Sequence, residues 1–357
     1  MPEPMLISYA DAIQQALHDA LQKWPEVILM GEGVPDPKAI FGTTHGLQDK
    51  FGKDRVLDMP IAENGMTGVC IGAAIAGIRP VIVHQRIDFV LLAMDQLINN
   101  AAKWHYMFNG QQTVPMVIRL IVGRGWGQGP QHSQGLHKLF TQIPGLKVYM
   151  PVTSGDAYHM MIAAVEDDGP VVFIEHRWLY SIKGSLDKVT TKKGSLNKLN
   201  VLRQGTDVTL VAFSYMAIEA LKAAEYLQAH GVQIEVLSIS DLTEMDIHGI
   251  QQSLCKTGHL VVADNACEQA SIGHEIISAL CRKDPGLFKT APKLIAWPNH
   301  PVPTSPHLAE HYYPGCVQIV EGIFQQLNKA YDSNYVKSFL TDEMPTDIPN
   351  TSFTGSF

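Results

Sequence analysis

Paired cysteines, a phosphate-binding loop and a hydrolase elbow are all missing from this sequence. The five cysteines (Cys70, Cys255, Cys267, Cys281 and Cys316) show no Cys-x-x-Cys spacing. An odd, scattered set reads as reduced thiols and excludes a disulfide framework or a cysteine zinc site. No Gly-x-x-x-x-Gly-Lys-[Ser/Thr], Gly-x-Ser-x-Gly or His-Glu-x-x-His occurs, which removes the P-loop, the serine nucleophile and the zincin helix from consideration. Positive charge is scarce. With a net charge of −8 and no extended Lys/Arg run, a nucleic-acid surface is excluded. The longest uncharged apolar stretch, residues 66–78, is too short to span a bilayer. The amino terminus, MPEPMLISYADA, resembles neither a signal peptide nor an arginine-rich transit segment. A soluble cytoplasmic α/β protein is expected, and 357 residues suffice for two domains.

What is present is an alternation. Apolar runs of strand length at 27–30, 80–83, 114–121, 147–150 and 171–175 are separated by helical patterns at 9–23, 65–77, 89–107 and 155–166. Strands divided by helices imply a mainly parallel sheet covered on both faces. Residues 178–200 turn Lys-, Gly-, Ser- and Thr-rich and read as a connector. A second alternation follows, with strands at 207–212, 233–238 and 259–263 and helices at 217–230, 246–256 and 273–281. It reads as a smaller domain with its own parallel sheet. Beyond residue 331 the chain is polar and Pro/Ser/Thr-rich, read as a tail or a partner-binding strap.

The most informative local feature is Glu63, placed just before a charge-free helix containing Gly68, Gly72 and Gly77. Each glycine inside a helix costs roughly 0.5–1 kcal/mol relative to alanine, so close approach of another backbone or a ligand is the usual reason for several. A single acid at the mouth of such a helix is either a dipole-stabilising first-turn residue or a catalytic carboxylate in a dry place. Two glycine-rich turns, at 31–33 and 123–129, follow strands but lead to prolines rather than a helix start, so the dinucleotide fingerprint fails at both. His132, flanked by Gln131, Ser133 and Gln134, sits in such a loop, where a ligand-handling histidine and a solvated one read alike. Asp95 reads as a structural acid within its helix, and Phe89 by itself as a core aromatic.

Taken together, Pro60-Ile-Ala-Glu-Asn-Gly65, Gly72-Ala-Ala-Ile-Ala-Gly-Ile-Arg-Pro80, Asp88-Phe89, Asp95-Gln-Leu-Ile-Asn-Asn-Ala-Ala-Lys103, Gln131-His-Ser-Gln134 and Pro144-Gly-Leu-Lys-Val148 occur in one order at natural spacing. In this the chain resembles, over residues 7–327, the beta subunit of the thiamine-diphosphate-dependent decarboxylase component of 2-oxo acid dehydrogenase complexes, in the transketolase-like group. The resemblance implies a pyrimidine-binding thiamine-diphosphate fold over residues 1–195 and a transketolase C-terminal-like domain over 196–330, ahead of the polar tail at 331–357. By position, Glu63 would hydrogen-bond the cofactor's pyrimidine nitrogen and Phe89 would pack on that ring. Glu32 and Gln85 would stand beside it, and His132 would handle the substrate. Ala164, Asp167 and Gly169 match a loop that holds a structural monovalent cation, K⁺ by type.

The Gly-Asp-Gly turn through which these enzymes hold Mg²⁺ and the diphosphate is absent. The resemblance therefore implies an alpha subunit carrying that half of the site, a second copy of this chain, and a lipoyl acyltransferase core as a further partner. Three stretches depart from the family pattern: residues 83–89 with Arg86 and Ile87, residues 240–246, and Asp264-Asn-Ala-Cys-Glu268. They leave two other readings beside the dehydrogenase subunit: a carboligase that passes its acyl unit to an aldehyde or sugar, and a non-catalytic beta-like subunit.

Overall fold

A computed structural model describes residues 6–38, 40–125, 127–186 and 199–340. The apolar runs of the first half form one six-stranded parallel sheet. Its order is Val56–Leu57, Val27–Gly31, Arg79–His84, Val117–Val122, Val171–His176, Lys147–Tyr149. Side chains alternate across a strand, and here both faces are buried. Val117 and Ile121 join a core with Val81, Val83, Val171, Phe173 and the helices Tyr9–Lys23 and Ser154–Glu166. Ile118, Leu120 and Val122 join another with Ile82, Val172, Ile174 and the helix Glu63–Ile75. Double coverage is why these strands read as unbroken hydrophobic runs. The two-residue edge strand Val56–Leu57 is too short to give such a signal.

Several expectations are corrected. Glu63 is the first residue of its helix rather than lying ahead of it. The helix expected over 89–107 is three pieces: a 3₁₀ turn Phe89–Ala93, a π turn Gln96–Ala101 and an α-helix Ala102–Met107. Within the π turn Asn99 and Asn100 donate to Asp95 and Gln96 at 2.7 and 3.1 Å, and Gln96 lies against Gly68 of the neighbouring helix. The connector begins later than its composition suggested. Trp178, Leu179 and Tyr180 are buried in the first domain, and Lys183–Ser185 pairs antiparallel with Leu6–Ser8. The boundary expected at 195/196 lies outside the described residues.

The second sheet runs Lys293–Trp297, Leu260–Cys267, Val208–Ala212, Ile234–Ile239, Leu199–Arg203. It is parallel except for the last strand, an antiparallel edge whose half-exposed, mixed composition hid it in the sequence. The expected polar tail starts with a helix, Ser333–Leu340, whose Val336 is buried against the second domain. Apolar residues at helical spacing (Val336, Phe339, Leu340) outweigh the polar average there; residues 341–357 lie outside the described chain. No helix among the described residues is long and apolar enough to cross a membrane.

The sheets are joined edge to loop. Met150 N donates to Ser240 O at 2.7 Å, Leu242 N to Val148 O at 2.9 Å, and Val148 N to Thr243 Oγ1 at 2.7 Å. In the first core, Arg119 is fully buried. Its Nε donates to Glu175 Oε1 at 2.7 Å and its Nη2 to Thr43 Oγ1 at 2.9 Å, while Tyr180 OH donates to Glu175 Oε2 at 2.9 Å. Removing one member of a buried pair strands the other. Arg119→Leu is expected to destabilise the protein by about 3–5 kcal/mol, read from its urea midpoint, with partial recovery when Glu175→Leu is added.

Candidate active site

Four stretches meet at the carboxyl ends of neighbouring parallel strands, where doubly wound sheets bind ligands. Glu32 follows Val27–Gly31, and Gln85–Phe89 follow Arg79–His84. His132 lies in the loop after Val117–Val122, and Glu63 opens the helix after Val56–Leu57. The strand ends thus bring together all five residues expected to hold the cofactor or act on substrate.

Gln85 Nε2 donates to Glu32 O at 2.7 Å, and Gly33 N to Asp58 Oδ1 at 2.9 Å, fixing the first loop against the second. The Glu32 carboxyl is raised above the ordinary range by burial, then by the charges of Glu63 and Asp58. Glu63 is 8% exposed, and its carboxylate makes no hydrogen bond or ion pair with any described residue. The rings of Phe89 and His132 meet edge to face, with centroids 5.2 Å apart at 88°. Phe89 is 38% exposed, an unusual place for an aromatic ring on a site wall. Asp88 holds the His132 loop by accepting from Gln134 Nε2 at 2.8 Å and Gln134 N at 3.2 Å. Burial raises its carboxyl, and the Gln134 bonds and the His132 charge oppose that rise.

Beside these stands a group that only Arg86 had announced. Arg86 Nη2 and Arg177 Nη2 both donate to Gln128 Oε1, at 3.3 and 2.9 Å. Arg124 lies 4.6 Å from the ring centroids of both Trp178 and Tyr313, the latter in the second domain. Burial, followed by repulsion from Arg86, brings Arg177 down to about 8. The arginine and glutamine of Gly123-Arg-Gly-Trp-Gly-Gln-Gly129 were the available signal; its glycine spacing drew attention instead.

The loop expected to hold a monovalent cation faces a guanidinium. Arg79 Nη1 donates to Val165 O at 2.9 Å and to Asp167 O at 2.8 Å, and its Nη2 to Asp168 Oδ1 at 2.7 Å. Asp167 also receives Lys147 Nζ and Gly169 N, while Ala164 is buried in the preceding helix. Among the described residues no group of three His, Cys, Asp or Glu side chains could hold a metal ion.

Comparison with known proteins identifies both domains. Residues 6–183 match the pyrimidine binding domain of transketolase, and residues 197–319 match its C-terminal domain. The acetoin:2,6-dichlorophenolindophenol oxidoreductase subunit beta of Bacillus subtilis is 38% identical over 338 residues, 91% of this chain and 98% of that one. The bovine mitochondrial pyruvate dehydrogenase E1 component subunit beta is 34% identical over 331 residues, 92% of each chain. The chain belongs to the family of these transketolase-like beta subunits. A solved split-gene transketolase, described as an inactive beta4 tetramer, superposes with a TM-score of 0.72 at 21% identity over 90% of this chain and 98% of that one, a likeness of fold. In this family member the two matched domains correspond to the two sheets.

Gly135, three residues beyond His132, lies against the second domain so closely that a Cβ there would stand 1.9 Å from Asn265 O. Gly135→Ala is expected to force the seam apart and lower the thermal midpoint by several degrees, measured by calorimetry.

Proposed function

We propose that this chain is the beta subunit of a thiamine-diphosphate-dependent enzyme that decarboxylates a 2-oxo acid and passes on the acyl unit, working with an alpha subunit that holds the diphosphate and Mg²⁺. The observation that carries this reading is Glu63. Its carboxylate lies where the strand ends meet, with no protein donor among the described residues, and the arrangement makes sense if a ligand nitrogen supplies the missing bond.

The surrounding residues fit an aminopyrimidine. Glu63 would share a proton with the ring nitrogen in a dry setting, where a charge-assisted bond is strong, and the helix amino terminus favours its charge. Phe89 supplies an exposed flat wall for the ring, and Gln85, tied to Glu32, closes the neighbouring side. His132, set edge-on to Phe89, would move a proton at the substrate. Bound thiamine diphosphate supplies the electron sink.

The other half of the site has a place to attach. A Cβ on Gly65 or Gly72 would meet nothing within 4 Å, so the close approach that explains these glycines is not made within the chain. Ile61, Val69 and Leu92 are 83, 55 and 60% exposed on the same region. Such an apolar face calls for an obligate partner, the alpha subunit and a second copy of this chain being the candidates. The five free cysteines suit a reducing compartment, the cytoplasm.

In the assembly purified with its alpha partner, Glu63→Gln is expected to lower kcat for 2-oxo acid decarboxylation by about 10³-fold without loss of folded protein. Wild-type turnover in that variant would remove the reading. Gly72→Leu should leave a folded chain that no longer assembles, visible by native mass spectrometry as the loss of the multi-subunit species.

A further inference from the structure

The His132 loop is gripped from both domains, and the second grip plays no part in the chemistry above. His137 opens the short helix His137–Thr141, five positions after His132. Its Nε2 stands 2.9 Å from Oδ1 of Asp264, on the strand Leu260–Cys267 of the second domain, and both side chains are fully buried. Asp264 is itself immobilised. Its Oδ2 accepts from Ser271 Oγ at 2.6 Å and from Ile272 N at 3.0 Å. Next door, Lys138 Nζ donates to Ser271 O at 3.0 Å.

Between His132 and His137, Gln134 is clasped to Asp88 beside Phe89, and Gly135 is pressed on Asn265. His132 therefore sits just ahead of a segment held first to its own sheet, at Gln134, and then to the second domain, at Gly135 and His137. A buried polar pair is a poor adhesive, since desolvation consumes much of what its attraction gains and apolar residues would join the domains as well. What it adds is direction: a carboxylate already held by two donors presents its remaining oxygen at one point in space.

We propose that His137 and Asp264 form a positioning pair through which the second domain sets the placement of His132 over the substrate. This rests on the reading of His132 as the residue that moves the substrate proton. Displacement at His137 passes to His132 because Gly135 allows the intervening turn no slack against Asn265. A misplacement of about 1 Å can cost on the order of 10²-fold in rate.

The test is a double-mutant cycle with His137→Gln and Asp264→Asn in the complete assembly. Each keeps a hydrogen-bonding group of similar size. Each single variant is expected to lower kcat by about 10-fold or more, with KM for thiamine diphosphate within about twofold of wild type. The double variant should fall no further than the worse single, because the two act as one unit. Hydrogen exchange followed by mass spectrometry should rise in the peptide covering residues 129–136 in both singles, with the strand Val117–Val122 unchanged. Multiplicative losses, or losses that follow only the amount of folded protein, would overturn the proposal. So would unaltered exchange in the loop. If the wild-type assembly turns over no 2-oxo acid and the loop still loosens in both variants, the positioning pair stands and the reaction assignment falls. Turnover with an indifferent loop means the reverse.

Discussion

An open sheet edge leaves a row of backbone donors and acceptors unpaired, and here the edge strand Lys147–Tyr149 is covered by the backbone of residues 240–243. Much of the functional architecture follows from that docking. It fixes the second domain against the carboxyl ends of the first sheet, bringing Asp264 to His137 and Tyr313 to Arg124. The sequence at 240–246 departs from the family pattern, and its first four residues are the ones that make this seam.

The site formed beneath the seam is electrically divided. On one side burial, followed by the charges of Glu63 and Asp58, lifts Glu32 above its ordinary range. On the other, Arg86 and Arg177 share the oxygen of Gln128, and burial together with the Arg86 charge brings Arg177 down to about 8. Asp88 lies between, feeling His132 and bonded to Gln134. A low dielectric magnifies each of these interactions, so a small change in the placement of His132 has a large electrostatic consequence.

The glycine-rich helix connects the site to assembly. Its amino terminus presents Glu63 to the site, while its outer stripe, with Gly65, Val69 and Gly72, is left open. In the proposed assembly one element would face the ligand and the subunit interface together, coupling assembly to the completeness of the site.

The sequence by itself determined the alternation of strands and helices, because apolar runs buried on both faces and capped helices such as Ser154–Glu166 are local signals. The family resemblance marked Glu32, Glu63, Gln85, Phe89 and His132 as site candidates; the first four directly follow or open a regular element, and His132 lies in the loop after Val117–Val122. Tertiary structure alone decided what depends on distant partners. The pairing of His137 with Asp264, the bonding of Arg79 to Val165, Asp167 and Asp168, and the convergence of Arg86 and Arg177 on Gln128 leave no periodic trace in the chain. The same holds for the antiparallel edge strand and for the helix Ser333–Leu340, whose type is set by what each packs against rather than by average polarity. Local pattern fixes an element's type when burial is uniform along it, whereas a buried polar side chain finds its partner only when stretches distant in the chain have come together.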